Sequence, residues 1–103
     1  MIVEQIARMV ADFFLFLNMT DEELLDLDVS VLMMEDMAAR LQDLDKAFLR
    51  ELVDAFPVIA SEYSGEAHKL VLDIPYSFYL EETLAAGDPV RLAELEALRD
   101  ARD

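Results

Sequence analysis

Seven carboxylates fall within DEELLDLDVSVLMMEDM, residues 21 to 37: Asp21, Glu22, Glu23, Asp26, Asp28, Glu35 and Asp36. Carboxylates at this density could hold a hard cation, work as an acid and base pair, or attract a cationic partner. A calcium loop of the EF-hand kind needs a Gly at its sixth position and a bidentate Glu at its twelfth. Counted from Asp21, those positions hold Asp26 and Leu32, so the pattern fails.

Nucleophilic and transition-metal chemistry find less support. His68 is the single His and there is no Cys, which removes thiolate sites and any site built from several imidazoles. Ser61 and Ser64 lie near His68 in sequence, yet no nucleophile elbow or base-and-orienter spacing surrounds them. His68 reads as a surface or capping residue. A carboxylate pair for glycoside hydrolysis depends on a distance set by the fold, and so small a chain with just two Gly offers little loop for a cleft. No glycine-rich phosphate loop is present. The chain reads as a non-enzyme, with no catalytic residue, no cofactor and no metal expected.

Two binding candidates remain. One is the acidic set itself, whose bland alternative is a solvated face with carboxylates favourably placed at helix N-termini. The other is DIPYSFYLEE, where Tyr76 and Tyr79 stand among Asp73, Glu81 and Glu82. Tyrosine offers large contact area and a polar tip, which suits an interface anchor; a core helix with hydroxyls at the rim is the alternative.

Periodicity supplies the secondary structure around these residues. Apolar residues at Ile2, Ile6, Met9, Val10, Phe13, Phe14 and Leu17 predict a first helix over about 2–17. MTDEEL predicts a second start, with Thr20 as N-cap, Glu23 at N3, and Met19 and Leu24 as a hydrophobic staple, lasting a turn or two. Asp28 is itself a good N-cap for a longer helix from Val29 to about Leu44. Its broad apolar side holds Met33, Met34, Met37, Ala38, Leu41 and Leu44, opposite Glu35, Asp36, Gln42 and Asp43. Asp45 predicts a third helix over about 46–56, which Pro57 would kink or end. Gly65 reads as the stop of that run. Residues 69–74 fit a strand or a buried helix; a lone strand finds no partner, so helix to Asp73 and a turn started by Pro75 are expected. Asp88 and Pro89 open a last helix with Leu92, Leu95 and Leu98 along one face. The result is an all-α fold, a compact bundle of five or six short helices in one domain over 1–103.

Composition narrows the partner. With 55% hydrophobic residues, 103 residues can build one core, which argues against disorder. Twenty-three acids against eight bases leave a net charge of -15, which repels nucleic acid and anionic lipid. The same charge would speed encounter with a basic protein. The absence of Cys fits a reducing compartment, so a cytoplasmic location is expected. FFLFL near the N-terminus is strongly apolar, but Phe13 to Leu17 is far short of the ~20 residues of a membrane span, and Glu4 replaces the basic start of a signal peptide.

The segment from about Phe14 to Glu62, and FLFLNMTDEELLDLDVSVLMMEDMAARLQDLDKAFLRELV in particular, resembles small acidic all-helical immunity proteins of bacterial polymorphic toxin and contact-dependent inhibition systems. The residues that carry the resemblance are Asp26, Asp28, Val29, Glu35, Ala38, Leu41, Gln42, Leu44 and Phe48. DLD lacks the proline expected after the first Asp, and GDPVRLAELEALRDARD extends beyond the pattern. The resemblance implies a protein that neutralises a basic toxin domain, such as a nuclease, without catalysis of its own. Asp21, Glu22, Glu23, Asp26, Glu35 and Asp36 would supply charge, with Tyr76 and Tyr79 as anchors. The rival reading is a helical adaptor whose Met- and Phe-rich faces pack in a homodimer or on another chain.

Overall fold

Carboxylates placed just ahead of apolar runs start the helices of this chain, and the computed structural model describes residues 1–102. Asp45 Oδ2 accepts the Phe48 amide at 3.2 Å and Asp88 Oδ1 accepts the Arg91 amide at 3.1 Å, each satisfying an amide that the helix cannot. Among the described residues there are seven helices and no strand: α1 (Ile2–Met19), α2 (Leu27–Gln42), α3 (Lys46–Ala60), α4 (Gly65–Leu72), α5 (Ile74–Ser77), α6 (Leu80–Leu84) and α7 (Pro89–Arg102). The all-α class is as expected. The count exceeds five or six because Phe78 and Tyr79 divide the segment after Pro75 into two single turns.

Several boundaries differ from expectation, each for a local reason. Thr20 is the C-cap of α1 in extended conformation, its amide donating to the Phe16 carbonyl at 3.2 Å, and it starts no helix. Asp21 takes the capping part instead, its carboxylate accepting the Glu23 amide at 3.0 Å and its carbonyl accepting the Leu24 and Leu25 amides, so MTDEEL forms a turn rather than a helix. The N-cap of α2 is Asp26, not Asp28, because its carboxylate reaches the amides of Asp28 at 2.8 Å and Val29 at 3.3 Å. Helix α3 runs through Pro57 to Ala60, since complete burial of Ile59 and Ala60 outweighs one missing amide bond. Gly65 opens α4 rather than stopping α3: the chain reverses after Tyr63 and needs a positive φ of 60° there, which glycine adopts without a Cβ clash. The His68 ring bonds the Ala60 carbonyl through Nδ1 at 2.7 Å and closes this reversal, a capping role.

Helix α3 is the axis of the core. Leu49, Leu52, Phe56 and Ile59 are fully buried along it, and α1 presents Ala7 and Ala11 so that the two backbones come close. Phe14 of α1 meets Phe78 edge-on at 5.3 Å, and Val71, Ile74 and Leu80 close the far side. Ion pairs tie the periphery down. Arg8 grips Glu62 in a bidentate pair with a shortest contact of 2.7 Å, and Arg50 joins α3 to Glu81 of α6 at 2.9 Å. No helix among the described residues is long and apolar enough to cross a membrane.

Candidate functional site

Helix α2 carries more apolar residues than the core can cover. Ser30, Met34, Ala38 and Leu41 recur at four- and three-residue steps and face the bundle, where Ser30 and Leu41 are buried. A second row, Val29, Leu32 and Met33, follows the same helical spacing and is turned away, while Met37 at its edge is partly buried against the core. Leu32 is 64% exposed and Met33 40%. Together with Phe13 on α1 and with Met37 and Leu41, this second row lines an open groove of about 580 Å³, and the paired Asp36 and Arg40 stand within the same lining. Ile2, Met9 and Phe16 of α1 are also exposed and lie within one narrow arc of that helix as Phe13 does. The result is an apolar surface built by two helices.

The expected acidic face is divided by this groove. Asp21, Glu22 and Glu23 gather at the tip of the α1–α2 connection, around a hollow of about 510 Å³ that includes Asn18 and Leu27. Asp26 is spent on capping α2. Glu35 and Asp36, adjacent in sequence, lie about 100° apart on a helix and so serve different surfaces. Asp36 pairs with Arg40 at 2.8 Å in the lining of the groove. Glu35 points into a smaller hollow of about 340 Å³ that it shares with Tyr79, Met34 and Phe78. Of the predicted site residues, the fold therefore joins Asp21 with Glu22 and Glu23, and Glu35 with Tyr79, but not the whole set.

Tyr76 and Tyr79 are held by cations of α7. The Arg99 guanidinium lies 3.9 Å from the Tyr76 ring centre and 3.8 Å from that of Tyr79, and Arg102 lies 3.8 Å from Tyr76. Arg99 also donates to Glu82 at 2.8 Å and to the Tyr76 carbonyl at 3.0 Å. Tyr76 is thus half-buried inside the fold, whereas Tyr79 keeps an exposed edge. Tyr79 has a φ of 56°, the one positive value at a residue other than glycine among the described residues. That conformation turns the chain from α5 to α6, where Tyr79 joins Glu35 in lining the smaller hollow; Gln42 holds the same corner by donating to the Phe78 carbonyl at 2.9 Å.

Ser61 donates to the Val58 carbonyl and His68 is engaged with Ala60, so the two form no pair. Among the described residues no three His, Asp or Glu side chains converge as metal ligands. The pairing of Tyr63 with Asp12 at 2.7 Å is peripheral: burial, then that bond to Asp12, pushes the phenol up to about 12. Periodicity alone does not single out Val29, Leu32 and Phe13 as contact residues. The signal is nonetheless present, because a sixteen-residue helix with apolar residues at 27, 29, 31, 32, 33, 34, 37, 38, 39 and 41 exceeds what one face can bury.

Fold and site define a small acidic all-α protein with an open, mainly apolar groove along its second helix, met by Phe13 of the first. Comparison with family models, with curated proteins and with solved structures returned no match.

Proposed function

We propose that this chain is a non-catalytic protein-binding domain that captures a basic partner, and that the partner is a toxin domain which it neutralises. One observation carries the reading: exposed apolar side chains of α1 and α2 lie amid carboxylates, in a molecule of net charge -15. Long-range attraction would make capture fast, and burial of Phe13, Leu32 and Met33 would make release slow. The toxin assignment draws on the resemblance of residues 14–62 to acidic immunity proteins. A second reading, an adaptor that pairs with another copy, is favoured by the exposed ridge of Ile2, Met9 and Phe16 on α1; repulsion between two such acidic chains opposes it.

Co-expression with the product of the adjoining upstream gene tests the proposal. Restored host growth together with a stable complex is expected. A harmless product that forms no complex removes the toxin reading and leaves self-association to be measured by sedimentation.

A further inference from the structure

We propose that the α1–α2 groove seats one amphipathic helix of another protein, with Lys or Arg flanking its apolar face. This rests on the basic-partner reading above and names the structural element that is captured.

Shape points to a helix. Val29, Leu32, Met33 and Met37 stand at the spacing of a helical stripe, so the groove runs along one face of α2, with Phe13 as the contribution of α1. Anchors repeated at i, i+3, i+4 and i+7 on an incoming helix match such a groove. Methionine walls adapt to side chains of different shape without losing contact. An extended strand would find no sheet edge here, because the described residues form no strand.

Charge selects the occupant. Residues 1–45 build α1, α2 and the connecting turn, and carry eleven carboxylates against two arginines. Both arginines are occupied, Arg8 by Glu62 and Arg40 by Asp36. Asp28 is exposed one residue before Val29 with no basic partner among the described residues, and Glu22 and Glu35, also without one, line the two neighbouring hollows. A helix of apolar and cationic residues would match the apolar face of α2 and the acidic excess of the segment around it. A second copy would bring carboxylates against carboxylates, and an anionic membrane surface would be repelled in the same way.

Titration of the intact protein with two synthetic helices tests this, one of leucine and lysine and one of leucine and glutamate, each about 14 residues long. The lysine peptide is expected to bind, to weaken as salt rises, and to shift amide signals of α1 and α2. The glutamate peptide is expected not to bind. Leu32→Ser with Met33→Ser, both at exposed positions, should keep the helical circular dichroism and lower affinity for the lysine peptide about tenfold or more. Equal binding of both peptides, or unchanged affinity of the double variant, overturns the proposal. So does concentration-dependent dimerisation of the protein alone that the double variant abolishes. Growth rescue by the co-expressed double variant equal to that of the wild type would leave the toxin reading standing and remove this groove from it.

Discussion

The Ser30 hydroxyl donates to the Leu17 carbonyl at 2.9 Å, joining the first turn of α2 to the last turn of α1. Leu17 belongs to the four residues whose carbonyls have no amide partner within α1, and Ser30 is 5% exposed, so each satisfies a buried polar group of the other. The bond also sets the rotation of α2: with Ser30 inward, Val29, Leu32 and Met33 turn out towards the groove. Replacing Ser30 by Ala leaves the Leu17 carbonyl without its donor, and a loss of about 1–3 kcal/mol is expected in urea denaturation.

Reversing charge at Glu35→Lys with Asp36→Lys should leave the fold intact. Both side chains are exposed, and the Asp36–Arg40 pair is a surface contact worth about 0.3–0.5 kcal/mol. Affinity for a cationic partner should fall and its salt dependence flatten. An affinity and salt slope equal to those of the wild type would take these carboxylates out of the interface.

Helix α7 has one buried residue, Leu95, so its docking relies on Arg99. Arg99→Ala removes the contacts with Tyr76, Tyr79 and Glu82 together. Local stability of α7 should drop by about 1–2 kcal/mol, read as faster amide exchange confined to that helix. Loss of protection spread evenly over α1 and α3 would contradict this role for Arg99.

Tyrosine ordinarily ionises near pH 10, and the Tyr63 phenol in the folded chain is pushed up to about 12. The folded state therefore keeps a proton that the unfolded chain releases. This contribution to stability is complete below about pH 10 and is lost as pH climbs towards about 12. Tyr63→Phe should make denaturation midpoints less sensitive to pH across that window; an unaltered alkaline slope would count against it.

On the acid side, the hydrogen bonds from Arg8, joined by its positive charge, hold the Glu62 carboxyl below the usual glutamate range despite some desolvation. A lowered folded value means that this stabilisation is present in full above about pH 4.3 and disappears as pH falls through the Glu62 value. Thermal melts of Glu62→Gln should decline less steeply over that interval than those of the wild type, while lying below them at neutral pH.

Much of the fold was legible because helix starts are local. Asp45 and Asp88 cap helices through bonds that reach three residues along the chain, and Pro89 fits the first turn because its missing amide has no partner to lose there. Burial is different in kind. On α2 the sequence shows an apolar arc containing Met33, Met34, Met37, Ala38 and Leu41, and nothing within the helix says which part will be covered. The arrival of α1, with Ser30 bonded to Leu17, covers Met34, Ala38 and Leu41 and leaves Met33 with Leu32 outside. The helical step alone parts Glu35 from Asp36, but the packing of α6 on α2 places Tyr79, a residue far along the chain, in the hollow that Glu35 lines. Acidity, helical class and the cap residues are properties of short stretches of chain; the groove and the division of its acidic rim belong to the packing of helices distant in sequence, since burial depends on which surfaces meet.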